Sequence, residues 1–274
     1  MDCFDNQLAY ISNGDLWLVD LTAKQNRQLT KVGIASLSTL GKGRYNRPER
    51  EIGPGIWSGP TYKWSPDGKT IAFHLVDRRE MRKVPFPNYL ASETNPNEVR
   101  RGYPGDPNEI RRVGLLDVES GIIKYLDLPE PHANQVIDFN WSPEGALLID
   151  IAADTAVERM LFVLAPGESQ PREIWRGVRE SRMYTSFGST WHPDGKKVVF
   201  LSDMGDRYGL YTIDASPSRD RPQLLTDPSY DVLSAPSIAG DALFYAGNGV
   251  NPYEQHVYRL NMSGGDPEQV TRLS

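Results

Sequence analysis

The stretch YKWSPDGKTIAF, Tyr62 to Phe73, writes a strand, a tight turn and a second strand in order. Its two ends alternate apolar and polar positions, the period of a half-buried strand. Between them proline presets φ for a turn, aspartate caps it, and glycine takes the positive φ that closes it. Nearly the same words return as FNWSPEGALLID at 139–150 and STWHPDGKKVVF at 189–200. A tryptophan at the end of each leading strand is placed to pack on a neighbouring unit.

The same alternation marks QLAYIS (7–12), DLWLVDL (15–21), TIAFHLV (70–76), VGLLDV (113–118) and ALLIDIA (146–152) as strands. MLFVLA (160–165), KVVFLSD (197–203), GLYTIDA (209–215), ALFYAG (242–247) and HVYRLNM (256–262) follow the same pattern. Nothing comparable repeats at a helical period, and 24 glycines with 21 prolines suit many tight connections. The strands group into units of a leading strand, a central apolar strand, a strand ending in aspartate and an outer strand. The unit at 191–226 is the cleanest; others run over 62–128, 136–175 and 230–273, with a partial one over 6–30. Four-stranded units of about 40 residues, none able to bury its own face, are the mark of a β-propeller. The expected fold is therefore all-β: a β-propeller of four-stranded antiparallel blades, about five blade equivalents in a single domain over 1–274. Two inserts interrupt it, at 31–61 and 78–112. Inserts of this length in a compact domain usually carry function.

Composition narrows the function classes. Thirty basic against 36 acidic residues give a net charge of −6, with no basic stripe to neutralise phosphates, so nucleic acid is excluded as a partner. The basic clusters at 77–83, 100–101 and 111–112 are broken by acids and prolines and read as solvated loop faces. Cys3, the single cysteine, makes no intrachain disulfide. No run reaches the roughly 18 apolar residues of a membrane span, and the first residues do not form a signal peptide. The four histidines, His74, His132, His192 and His256, offer no pair on one helical face, so neither a metal nor a cofactor is expected. Asp203 and Arg207 read as a turn and an inter-blade pair.

The inserts move the reading from a fold to a family. The run at 64–121, with KVPFPNY (83–89), YPGDPNEI (103–110) and LLDVESG (115–121), resembles the amino-terminal propeller of the dipeptidyl peptidase IV family, in the prolyl oligopeptidase clan of serine peptidases. YPGDPNEI departs from the family's Tyr-Pro-x-x-Gly-x-x-Asn-Pro by one missing residue and by Asp-Pro-Asn in place of Asn-Pro. The blade ALFYAGNGVNPYEQHVYRLNMSGGDPEQVT (242–271) is similar to another of that family's blades, and the resemblance covers nearly the whole chain.

That resemblance implies an eight-bladed propeller acting as lid and filter for a separate α/β-hydrolase domain that bears serine, aspartate and histidine. This chain has no Gly-x-Ser-x-Gly nucleophile elbow and no histidine placed as a catalytic base, so the chain reads as the propeller without its hydrolase, inactive alone. Family propellers bind the free amino terminus of a peptide through glutamates just before the blade that starts here at Trp64. The matching segment is RYNRPEREIGPGIW (44–57), and its carboxylates are Glu49 and Glu51. Arg50 separates them where well-known members have adjacent glutamates; the segment looks more like that of bacterial relatives with one glutamate before a Gly-Ile pair, which makes Glu51 the leading residue. On a helical turn the two would point about 200 degrees apart. Tyr45, Trp57 and Arg50 are placed to line a pocket beside them. The plainer reading is a surface loop in which these acids pair with Arg44, Arg47 or Arg50.

Two functions follow. The first is the non-catalytic, substrate-gating propeller of a dipeptidyl peptidase IV-like exopeptidase that releases amino-terminal dipeptides; its partners are a peptide substrate and the hydrolase domain, and the product is periplasmic or secreted. The second is a stand-alone propeller, in the manner of TolB-like domains, that binds a protein or peptide without turnover. Unpaired strand edges also invite a homodimer.

Overall fold

The computed structural model describes residues 2–37, 47–54, 59–87, 96–130, 133–181, 188–205, 207–216, 221–249, 251–263 and 265–272. These form strands and turns, with no helix among the described residues. Five antiparallel sheets of propeller-blade pattern follow one another along the chain.

The first blade is β1 (Asp2–Phe4), β2 (Gln7–Ser12), β3 (Asp15–Asp20) and β4 (Gln25–Gln28). The unit read as partial from sequence is thus four-stranded, because Asp2, Cys3 and Phe4 pair with Ala9, Leu8 and Gln7. The second blade has a split first edge: β5 (Arg50–Ile52) and β6 (Tyr62–Trp64) both pair with β7 (Thr70–Asp77). A two-stranded hairpin, β8 (Lys83–Pro87) and β9 (Pro96–Arg100), then precedes β10 (Ile110–Asp117) and β11 (Ile123–Tyr125), which complete that blade. The third blade is β12 (Asn134–Trp141), β13 (Leu147–Ala153), β14 (Glu158–Leu164) and β15 (Arg172–Val178). The fourth is β16 (Ser189–Trp191), β17 (Lys197–Ser202), β18 (Gly209–Asp214) and β19 (Gln223–Leu224), and the fifth β20 (Ser237–Ala239), β21 (Ala242–Gly247), β22 (His256–Asn261) and β23 (Glu268–Gln269).

The chain divides into two compact units, residues 1–136 and 137–274. In the first, Ile71, Phe73 and Leu75 of β7 join Ala9, Leu16, Leu18, Ile52 and Trp64 in one core, with Phe4 stacked on Trp64 at 5.8 Å between ring centroids. In the second, β17 serves two cores at once. Val198 and Phe200 pack with Leu148, Leu161, Trp175 and Trp191, whereas Val199 and Leu201 pack with Tyr230, Leu243, Tyr245 and Tyr258. Alternate side chains of one strand thus enter the cores on its two faces, and each fully buried Val, Leu or Phe contributes about 1.5–3 kcal/mol. The last strands β4, β19 and β23 lie exposed.

The opening motif forms the same turn three times. Gly68, Gly145 and Gly195 donate their N–H to the carbonyls of Ser65, Ser142 and His192, each with φ between 65° and 84°. At the first turn the Ser65 hydroxyl donates to Asp67 at 2.7 Å and accepts from the Thr70 N–H at 2.9 Å.

A Cβ at Gly68 would overlap the Phe4 ring, whereas one at Gly145 meets open space. Left-handed backbone costs an alanine about 1–2 kcal/mol at either site. Gly145→Ala is therefore expected to lose about that amount in urea unfolding, and Gly68→Ala at least about 1 kcal/mol more because Phe4 must move. Equal losses would mean that the Phe4 ring yields freely.

Candidate functional site

Strand β5 has almost no length of its own and is fixed by its neighbours. Asp15 Oδ1 accepts from the Thr30 hydroxyl at 2.8 Å and from the N–H groups of Val32 at 2.6 Å and Gly33 at 3.1 Å, which pins the segment leading into the first insert. Ile34 then bridges to Arg50, and the Ile52 N–H reaches the Gly14 carbonyl at 2.8 Å. On the other side the Gly53 N–H donates to the His74 carbonyl at 3.1 Å, and the Arg78 N–H to the Glu49 carbonyl at 2.8 Å.

This places Glu51 in β5 and Glu49 at the bend that leads into it. No helical turn forms over these residues, so the separation of about 200 degrees that one would impose does not arise, and Glu51 presents one face of β5. Register extends that face across the blade. Glu51 is opposite Val76, and Val76 opposite Arg111. Alternation then adds His74 and Arg78 on β7 and its continuation, and Glu109 just before β10, to the same side. Ile52, Leu75 and Phe73 face the other way, into the core.

Arg78, 2% exposed, ties the carboxylates together. Its Nη1 donates to Glu51 Oε1 at 2.7 Å and to the Pro48 carbonyl at 2.9 Å, while its Nε donates to Glu109 Oε2 at 2.7 Å. Arg111 Nη2 donates to the other oxygen, Glu109 Oε1, at 2.8 Å. Glu49 is held by the last residue of the hairpin: Arg100 reaches its Oε1 through Nε at 2.6 Å. Each of Glu49 and Glu51 therefore has Oε1 engaged by an arginine, and no described residue bonds its Oε2. The Glu51 side chain stays 21% exposed. A Cβ on Gly53 would crowd its carboxyl carbon at 3.2 Å, so the absence of a side chain there leaves Glu51 its space.

The electrostatics follow from burial against pairing. Burial pushes the Glu109 carboxyl up, but Arg78, Arg111 and Arg47 outweigh it and leave it below the usual carboxylate range. Burial lowers the Arg47 guanidinium, Arg78 adds to that, and Glu109 and Glu51 oppose it. Burial likewise brings His74 down to about 4, although the Gly53 carbonyl, 2.8 Å from its Nδ1, favours the protonated ring. His74 is thus neutral near pH 7, with Nδ1–H donating to Gly53 and a buried Nε2 without a partner.

Of the residues expected from sequence, the fold holds Glu51 with Arg78 and Glu49 with Arg100, and turns Arg50 away from Glu51, where its Nε donates to the Val32 carbonyl at 2.6 Å. Tyr45, Trp57, Arg44 and His132 lie outside the described residues. The acids do not form a loop paired with Arg50 or Arg47; their partners are Arg78 and Arg100. Arg78 and Arg111, expected on solvated loop faces, are both buried. Asp203 and Arg207 pair with other residues, Arg179 at 2.9 Å and Asp231 at 3.0 Å, around a cavity of about 590 Å³ in the second unit. Among the described residues no cluster of His, Cys, Asp and Glu could hold a metal ion, and none of His74, His192 and His256 hydrogen-bonds a serine or cysteine.

Five blades of this pattern, with a carboxylate pair presented at the end of one of them, define a propeller with a polar site at its strand ends. The family model for the dipeptidyl peptidase IV (DPP IV) N-terminal region matches residues 4–274, and the chain belongs to that family. It is 24% identical over 303 residues to dipeptidyl-aminopeptidase B of Aspergillus niger, an alignment covering 98% of this chain and 32% of that protein. Its fold is similar to the crystal structure of Porphyromonas gingivalis dipeptidyl peptidase 4, with a TM-score of 0.71 at 14% identity, covering 98% of this chain and 38% of the other. The chain thus spans about a third of the length of the relatives that it matches.

His74 sets a pH dependence of stability. The unfolded chain binds a proton on this ring as pH falls through about 6.5, the folded chain only near 4, so the unfolded state holds more protons between these values. Stability is expected to fall on acidification through that window, by on the order of 3 kcal/mol, and His74→Gln should flatten this part of the curve. Glu109 adds a further loss at lower pH, where its arginine-paired carboxylate is protonated. An unchanged slope in the variant would remove His74 from this role.

Proposed function

We propose that this chain is the non-catalytic, substrate-gating propeller of a dipeptidyl peptidase IV-like serine exopeptidase, with the Ser-Asp-His hydrolase domain supplied elsewhere in the gene product. Its task is to hold the free amino terminus of a peptide while the hydrolase releases the terminal dipeptide. The observation that carries this reading is Glu51: a strand-mounted carboxylate with one oxygen fixed by Arg78 and the other unclaimed by any described residue. A carboxylate fixed in this way receives an ammonium without first reorganising, and a charge-assisted hydrogen bond in a partly desolvated setting is a strong one. Glu49, two residues before it and fixed by Arg100, is the second acceptor.

In the complete gene product, Glu51→Ala is expected to raise KM for free-amine dipeptide substrates by about tenfold or more, and to change KM for amine-blocked analogues little. Equal effects on both would sink the amine-binding role. The intact mass of the native product tests the other half. A mass well above 30.8 kDa is expected. A product of that mass would favour a propeller that binds peptides without turnover.

A further inference from the structure

The first blade reaches Glu51 through the turn between β2 and β3. Asn13 and Gly14 both take positive φ, 53° and 81°, and close a two-residue hairpin next to the Ser12–Asp15 pair. Its tip lies on β5: the Ile52 N–H donates to the Gly14 carbonyl at 2.8 Å. A Cβ at Gly14 would stand 3.1 Å from Glu51 Cβ, 3.2 Å from Glu51 Cα and 3.3 Å from the Arg50 carbonyl oxygen. These atoms are backbone and the root of the side chain, so none of them can swing aside as the end of a long side chain would. The tip is itself held in place. Gly33 lies so close that a Cβ there would overlap the Asn13 carbonyl, and its N–H donates to Asp15 Oδ1 at 3.1 Å. Crowding of this kind is not a demand of turns as such: Gly121, Gly145 and Gly240 close turns with φ of 60° to 84°, and a Cβ on any of them meets nothing within 4 Å.

We propose that Gly14 is a positioning residue of the amine site: having no side chain, it seats the Cα and Cβ of Glu51 directly on the first blade's turn and so sets where the Glu51 carboxylate meets an incoming ammonium. Its role rests on the amine reading of Glu51. The glutamate is fixed at its far end by Arg78 Nη1, 2.7 Å from Oε1, and at its root by Gly14. Arg78 is buried and also bonds Glu109 and the Pro48 carbonyl, so it does not follow a shift of β5. A Cβ at Gly14 therefore pushes Glu51 by a few tenths of an ångström against a fixed arginine. An ammonium held by that carboxylate loses affinity with the displacement, because charge-assisted bonds are short and directional. A peptide whose amine is blocked makes no such bond and is indifferent to it.

The test measures KM and kcat of the complete gene product for free-amine dipeptide substrates and for amine-blocked analogues. Gly14→Ala is expected to raise KM about fivefold for the free-amine substrates, with kcat within about twofold and KM for the blocked analogues unchanged. Gly145→Ala imposes the same left-handed backbone on an alanine but has open space around it, and should leave both KM values as they are. Gly14→Asn adds the same Cβ on a residue that tolerates positive φ, and should show the selective rise even where Gly14→Ala does not fold. In a Glu51→Ala background Gly14→Ala should raise KM no further, since both changes act through one carboxylate. No selective rise in either Gly14 variant, a rise of the same size in Gly145→Ala, or an additive effect on the Glu51→Ala background would overturn the role of Gly14 while leaving the amine reading in place. Failure of the amine reading looks different: Glu51→Ala would itself raise both KM values alike, and Gly14 would lose its role with it.

Discussion

A propeller's central strand has neighbours on both faces, so a charge placed on it must find its partners within the protein. The two units meet this constraint differently. In the second, Asp150 lies in the middle of β13, and Arg159 answers it in two places, Nε to Oδ1 at 2.9 Å and Nη2 to Oδ2 at 2.6 Å. The Ser189 hydroxyl adds a third bond at 2.9 Å, and the Leu201 and Gly188 carbonyls take further Arg159 donors. This group ties two successive blades together. In the first unit Arg78 sits just past the end of β7, equally buried, bonded to Glu51, Glu109 and the Pro48 carbonyl, with its Nη2 unpartnered among the described residues. The same constraint acts on both arginines, and in the first unit it fixes one oxygen of Glu51 through Arg78.

Its position is tied to how β5 is held. A three-residue strand contributes little cohesion of its own, and Glu49 to Gly53 are fixed by backbone bonds to Gly14, Ile34, His74 and Arg78. The Asp15 carboxylate, from the first blade, secures the approach by binding three donors of residues 30–33. The glutamates are therefore mounted on the edge of a blade, and their geometry is set before any ligand arrives. Such preorganisation lowers the ordering cost of binding, which matters most for a single ammonium contact.

The blades were legible in the sequence because their determinants are local. Alternation fixed QLAYIS and ALFYAG to the residue, and the Pro-x-Gly turns carried their own φ and capping requirements. The site was legible only in part. Glu49 and Glu51 were found through a family resemblance, while the strand that carries Glu51 was not, because nothing within 44–57 shows that Leu75, Val76 and Asp77 offer a free edge. Arg78 and Arg111 were misjudged for the same reason. Read from sequence, the flanking strands stop at Val76 and begin at Val113, which leaves both arginines in the insert; the pairing of β7 with β10 over Asp77 to Ile110 brings them inside. The signal that could have found them was the continued alternation His74, Val76, Arg78 and Glu109, Arg111, Val113.

The tolerance of the fold and the selectivity of the site are separable in physical terms. A blade needs a turn glycine, a period-two apolar pattern and large side chains between sheets, and many sequences meet these demands. A TM-score of 0.71 at 14% identity is what such weak residue-level constraints allow. The residues of the proposed site do not enter those demands: Glu49 and Glu51 lie in one insert, Arg100 ends the hairpin of the other, and Arg78 and Glu109 flank it. Charges can be exchanged there without loss of a blade, provided that the buried ones stay paired. The demands of the propeller and the charges gathered around Arg78 are therefore carried by different residues.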